Sequence, residues 1–234
     1  MLKYLVMMMT PKFHEIFSPT IMETQVSQRF LDIVNKSADN VLSDDKQSVQ
    51  WDWSHKLVGK VHKEVRIPMT SKEDSAYCMG IMKQACVDYL KFLIKKTRAY
   101  EWIRIAGKEK PPTTENIHLA QSWVVSQYKN EYNPWHTHSG NFSSVLYLKI
   151  PNGMEEHFVN EKRDHYPASG LIDFKFGEKQ DMRSDTFLFH PQLGKMLLFP
   201  SWLNHTVYPF YCDGERRSMS FNASFFVPKD WHKK

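Results

Sequence analysis

Apolar residues recur at helical spacing in the first half of the chain and at alternating spacing in the second. Phe30, Leu31 and Val34 follow Ser27, whose hydroxyl can accept from the free backbone N–H groups of a first helical turn. The pattern predicts a helix that ends before the polar residues 35–45. The clearest helix covers residues 71–96. Ser71 with Asp74 resembles a capping box, Glu73 and Asp74 suit the positive end of the dipole, and Lys95 and Lys96 suit the negative end. Met79, Met82, Cys86, Tyr89, Leu90 and Leu93 form its apolar stripe, interrupted only in propensity by Gly80, and that stripe predicts packing against a sheet. Residues 107–114, with Pro111-Pro112, form a loop that closes the helical half.

From about Ile117 the period changes to two. Residues 122–128, 143–150, 170–176, 195–199 and 217–227 are short and rich in β-branched or aromatic side chains, as strands are. Helices first and short strands after predict an α+β fold with helices covering one sheet of a β-sandwich. No repeat or low-complexity linker divides the chain. One domain over 1–234 is therefore expected, with 1–115 as mainly helical support and 116–234 as the β core.

Composition narrows the class. A chain of 234 residues with 41% hydrophobic and 14% aromatic content can bury a large core and is not a disordered one. The net charge of +5 is spread in short runs such as Lys95-Lys96 and Lys233-Lys234, the pattern of a solvated surface rather than a nucleic-acid footprint. Three cysteines, Cys78, Cys86 and Cys212, give an odd count without a CxxC pair, which points to a reducing, cytoplasmic compartment and no disulfide framework. Cys78 and Cys86 lie eight apart on the long helix, hence on one face, and read as small core residues. The apolar residues 1–9 are cut off by Thr10-Pro11-Lys12. That run is too short for a membrane span and lacks a small-residue cleavage site, so a first strand or a loose terminus is expected.

Candidate chemistry gathers in two places. His136-Thr137-His138 follows Pro134, and in an extended segment residues i and i+2 point the same way, so both imidazoles can face one cavity. Imidazole is the common ligand of iron, copper and zinc, and His205, just after a strand, can supply a third. In a chain with 11 histidines an H-x-H pair alone also arises by chance. The second place is residues 216–222. Alternation puts Arg216, Ser218, Ser220 and Asn222 on one face and Arg217, Met219 and Phe221 on the other. An apolar face would pack under helices while the polar face lines an interior, where a buried arginine needs an anionic partner such as a dicarboxylate. The alternatives are a solvated turn after Asp213-Gly214, or a slipped register that makes Arg217 the functional cation.

These motifs, in this order, resemble the iron(II)/2-oxoglutarate-dependent oxygenases, and most closely a bacterial and phage branch. That branch carries H-x-H, then S-G-V-Y-Y-L, F-P-S-W-L-x-H and R-x-S-x-S-F-N. Here the stretches read His136-Thr137-His138, Ser143-Ser144-Val145-Leu146-Tyr147-Leu148, Phe199-Pro200-Ser201-Trp202-Leu203-Asn204-His205 and Arg216-Arg217-Ser218-Met219-Ser220-Phe221-Asn222. Phe17-Ser18-Pro19-Thr20-Ile21 is weakly similar to the branch's N-terminal strand. The resemblance implies a double-stranded β-helix (jelly roll) flanked by helices, with Fe(II) on His136, His138 and His205. It also implies 2-oxoglutarate held by Arg216 with Ser218 and Tyr147, oxygen as the second cosubstrate, and hydroxylation with release of succinate and carbon dioxide.

His138 departs from the superfamily's usual Asp or Glu, so a carboxylate elsewhere, Asp173 first, could complete the metal site with His138 behind it. The charged residues 152–192, with His157, His165, Tyr166, Arg183 and His190, suit a loop over the barrel mouth, and Trp135 and Trp202 could wall the substrate side or pack in the core. Two other readings stand beside the oxygenase: a three-histidine cupin-like dioxygenase without 2-oxoglutarate, and a non-enzymatic jelly-roll binding module. The primary substrate and the oligomeric state are open at this level, and no membrane partner is expected.

Overall fold

A computed structural model describes residues 12–15, 19–56, 58–69, 71–154, 168–181 and 184–232. Residues 1–9, Phe17, Ser18, His157, His165, Tyr166, Arg183 and Lys233-Lys234, to which the expectations above refer, lie outside them. No helix among the described residues is long and apolar enough to cross a membrane.

The chain folds as a mixed helical and antiparallel-sheet structure. Its strands are β1 (Lys12–Glu15), β2 (Thr20–Gln25), β3 (Lys63–Val65), β4 (Ile117–Gln127), β5 (Asn133–His136), β6 (Phe142–Lys149), β7 (Ile172–Lys175), β8 (Thr186–Phe189), β9 (Lys195–Pro200), β10 (Asn204–Val207) and β11 (Arg216–Phe225). They form a large sheet ordered β1-β2-β9-β6-β11-β4-β3 and a small sheet ordered β5-β10-β7-β8. Helices α1 (Gln28–Leu42), α2 (Asp45–Gln50), α3 (Lys72–Lys95) and α4 (Tyr100–Ala106) belong to the first half. That half also gives the large sheet three strands, β1, β2 and β3, which the sequence pattern alone did not predict from residues.

Each face of the large sheet has its own apolar layer. Met219, Phe221, Leu146 and Leu198 meet Phe30, Val34, Met82, Cys86 and Leu90 of α1 and α3 on one side. Val145, Tyr147, Leu197 and Phe199 meet Ile172, Phe174 and Phe189 of the small sheet on the other. The expected layer order, helices on sheet on sheet, is the one observed.

Two helical expectations are corrected. α1 does not stop before residue 35 but runs to Leu42. Ala38 and Val41 extend its buried face, and the polar residues find partners in the sheet beneath: Asn35 donates to Leu148 O at 3.1 Å, and Asp39 receives Arg217 at 2.7 Å. Ser27 caps it as expected, accepting from Phe30 N. On α3 the buried stripe runs through Cys78, Ile81, Met82, Ala85, Cys86, Tyr89 and Leu90, whereas Met79 is exposed. The stripe is set by where the sheet lies, one residue around from the face that begins at Met79. Ser71 Oγ accepts from Asp74 N at 3.0 Å, and Cys78, Cys86 and Cys212 are free and buried.

Candidate metal centre and cosubstrate cavity

His136 on β5 and His205 on β10 are direct partners across an antiparallel pair, so their side chains emerge on the same face of the small sheet. His138 lies just beyond β5 and is tied to the turn before β10, its N–H donating to Ser201 O at 2.8 Å. The H-x-H and F-P-S-W-L-x-H stretches are thus bonded to each other through backbone. Gly140 permits the close turn between them. Its φ is +92°, and a Cβ there would stand 2.8 Å from Ala223 O.

The three imidazoles converge. Their ring centroids are 4.9 Å (136–138), 4.3 Å (136–205) and 5.1 Å (138–205) apart, and one nitrogen from each lies within 4.8 Å of the others. His136 Nδ1 lies 2.7 Å from Pro134 O and His205 Nδ1 lies 2.9 Å from Leu203 O. A carbonyl only accepts, so Nδ1 carries the proton in both rings and Nε2 presents a lone pair. Burial lowers the pKa of His136, lowers that of His138 to about 4 with help from His136, and holds His205 well below the ordinary histidine value. All three are therefore neutral at pH 7, the state in which imidazole binds a metal. Neutral, converging nitrogen donors fit a borderline divalent ion such as iron(II).

Asp173 takes no part in this cluster. Its neighbours on β7, Ile172 and Phe174, face the cavity and His205, while Asp173 points to the other side and accepts from Tyr208 Oη at 3.2 Å. Among the described residues no carboxylate joins the three histidines. His190 also lies outside the cluster, and Trp135 and Trp202 are exposed rather than in the cavity wall.

Across the cavity, β11 contributes Arg216, Ser218 and Ser220. The predicted alternation is observed: Met219 and Phe221 join the helix-facing core, and Arg217 turns under α1 to Glu215, Asn35 and Asp39. Arg216 is 1% exposed, and burial lowers its pKa. Its Nη1 donates to Gln127 Oε1, and Gln127 Nε2 donates to Asn133 Oδ1 at 3.1 Å. Its Nε and Nη2 have no hydrogen-bond partner, nor does the hydroxyl of the buried Tyr147, whose ring centroid is 5.1 Å from the guanidinium carbon. Nε and Nη2 form one edge of the guanidinium fork, the edge that receives a carboxylate through two parallel bonds. The residues present fit an anionic dicarboxylate.

Glu64 was not legible as a site residue. It sits on the edge strand β3, opposite Val125, lines the same cavity, and is 2% exposed with Oε1 unpartnered. Burial raises its pKa from 4.5 to about 7; the Asn133 side chain opposes the rise and Asp52 adds to it. A carboxyl whose folded pKa is raised stabilises the fold most below its unfolded pKa, and that contribution is lost as pH climbs from 4.5 to about 7. Relative to Glu64→Gln, the native protein is expected to lose about 3 kcal/mol over that window, at about 1.4 kcal/mol per tenfold change in proton affinity. Urea denaturation of both proteins at pH 4.5 and pH 8 measures the difference; parallel curves would refute it.

Comparison with known proteins agrees with the motif resemblance. Residues 121–222 match the family model described as "Putative 2OG-Fe(II) oxygenase". No curated protein gives a significant sequence match. Among solved structures, a prolyl-4-hydroxylase from Pseudomonas putida is similar at 14% identity and a TM-score of 0.50, covering 89% of this chain and 95% of its own. A prolyl hydroxylase from Trichoplax adhaerens, solved with a hypoxia inducible factor peptide fragment, is similar at 14% identity and a TM-score of 0.48, covering 86% and 81%. At such identity the Pseudomonas likeness is one of fold.

Proposed function

We propose that this chain, a 2OG-Fe(II) oxygenase by its match over residues 121–222, holds iron(II) on His136, His138 and His205 and clamps 2-oxoglutarate with Arg216, Ser218 and Tyr147. One observation carries the reading: a single cavity has three neutral imidazoles on one wall and a buried guanidinium with two unpartnered nitrogens on the other. In this reading the two facing sheets are a double-stranded β-helix, and residues 1–234 form one domain.

The metal, when bound, supplies oxygen activation coupled to conversion of 2-oxoglutarate into succinate and carbon dioxide, with one oxygen atom entering succinate and the other a substrate C–H bond. The chain's own part is orientation and exclusion of water. Arg216, locked by Gln127 and through it by Asn133, offers its free edge to the distal carboxylate and so directs the 2-oxo end toward the histidines. Ser218 follows on the same strand face, and the Tyr147 hydroxyl lacks a partner until an anion arrives. Phe174 and Phe199 back His205 with ring centroids 5.7 and 4.9 Å away, and keep that wall dry. Three neutral ligands leave the centre one charge more positive than two histidines and a carboxylate would, which favours an anionic chelate.

The deciding experiment is an anaerobic titration of the protein with iron(II) and then 2-oxoglutarate. The expected result is a weak visible charge-transfer band that saturates at one equivalent of each. Iron binding without that band, or iron-dependent turnover that needs no 2-oxo acid, would overturn the cosubstrate assignment.

A further inference from the structure

Glu64 is a buried acid in the cavity wall that neither iron nor 2-oxoglutarate uses. It enters the cavity from the far edge of the large sheet. β3 pairs with β4 so that Glu64 faces Val125, and Val125 faces Ser218 on β11, which puts Glu64 two strands, roughly 10 Å, from the cosubstrate wall. Its side chain is buried, and Oε1 has no hydrogen-bond partner. Leaving such an oxygen unmet costs stability unless an incoming group completes it.

We propose that Glu64 is the recognition residue for the primary substrate, and that this substrate carries an ammonium or guanidinium group. The inference rests on the oxygenase reading of the cavity. Three features select a cation. The charged group that acts on Glu64 is Asp52, a like charge. Arg216 is the only lysine or arginine among the described residues lining the cavity, and it lies on the same sheet two strands away, at the cosubstrate end. Trp123, which lines the same cavity, offers an indole to which a desolvated cation is attracted. An anionic substrate would meet repulsion at this end, and a neutral one would forgo the charge-assisted hydrogen bond that a cation can make to Oε1. The clamp at Arg216 and the acid at Glu64 therefore sort two ligands of opposite charge to opposite ends of one cavity, with the histidines on the facing sheet. A C–H bond near the substrate's cationic group is thereby presented to the metal side.

The test uses n-propylguanidinium and n-butylammonium chlorides as probes, with N-butylacetamide as the neutral counterpart, titrated calorimetrically at pH 8 into the full chain and into Glu64→Gln and Glu64→Asp. Both cations are expected to bind the native protein, to bind Glu64→Gln at least tenfold more weakly, and to bind Glu64→Asp with intermediate affinity. N-butylacetamide is expected not to distinguish the three proteins. Glutamine keeps the shape of the side chain, and near-UV circular dichroism of both variants checks the fold. Equal cation affinity in native and Glu64→Gln proteins overturns the proposal, as does absence of cation binding to the native protein. A parallel 2-oxoglutarate titration separates the failures. Cosubstrate binding without Glu64-dependent cation binding sinks this inference alone, whereas Glu64-dependent cation binding without cosubstrate binding supports it while sinking the cosubstrate assignment.

Discussion

Replacing His205 with alanine is expected to lower iron(II) affinity at least about 100-fold and to abolish the charge-transfer band of the 2-oxoglutarate chelate. Even partners that only orient a metal ligand are worth roughly 10- to 100-fold, and a ligand is worth more. His205 is the member of the cluster with most to lose. It is 4% exposed, it contacts both other imidazoles, and its Nδ1–H is committed to Leu203 O, which aims Nε2 at the other two. Two histidines on a short, partly exposed segment would remain, without the cross-strand partner that closes the face. His190→Ala, outside the cluster, serves as the control and is expected to bind iron as the native chain does. Full iron stoichiometry in His205→Ala would remove His205 from the ligand set. Succinate formation, followed in the same samples, should fall with the metal rather than independently of it.

What made this cluster legible was strand alternation plus motif order. His136 and His138 could be placed on one side of an extended segment, and His205 could be placed just after a strand. The direct pairing of His136 with His205 was not readable, because register between distant strands depends on turns and packing rather than on either stretch alone. The two faces of β11 were readable because Met219 and Phe221 alternate with Ser218 and Ser220, and the structure separates them between core and cavity. Glu64 was not. β3 is only Lys63–Val65, too short to show a period, and Glu64 acquires its environment only when β3 docks on the edge of β4. The length of α1 was hidden for a related reason. Asn35 and Asp39 look like loop residues until Leu148, Lys149 and Arg217 arrive from the sheet to bind them. Tertiary partners, not local propensity, decide both cases. α4 escaped notice because its seven residues have no side-chain cap, and it is held by Trp102, buried against Phe225 and Trp231.

Arg216→Ala is expected to weaken 2-oxoglutarate binding by roughly 30- to 5,000-fold, the range for removing one side of a buried charge pair worth about 2–5 kcal/mol. Arg216→Lys should recover only part of this, since an ammonium cannot supply two parallel N–H bonds from one plane. The free protein should not be destabilised much by either change. Arg216 meets a neutral amide, Gln127, and the ring of Tyr147 rather than a carboxylate, and its Nε and Nη2 have no hydrogen-bond partner before an anion binds. The adjacent arginine gives the opposite result. Arg217 Nε and Nη2 donate to Glu215 at 2.7 and 3.0 Å, and Nη1 donates to Asp39 at 2.7 Å and Asn35 at 3.2 Å. Arg217→Ala leaves the half-buried Glu215 with only Ser126 and Lys149 and unfastens α1 from β11, at a cost of about 3 kcal/mol, while leaving cosubstrate affinity unchanged. Calorimetry with 2-oxoglutarate and urea denaturation on both variants form a crossed test: position 216 moves binding and position 217 moves stability. A swapped outcome, with cosubstrate affinity following Arg217, would mean that the functional cation lies on the helix-facing side of β11. Two neighbouring residues of one type thus do different work because a strand turns successive side chains to opposite faces: Arg216 is left with an edge to offer a ligand, and Arg217 has none to spare.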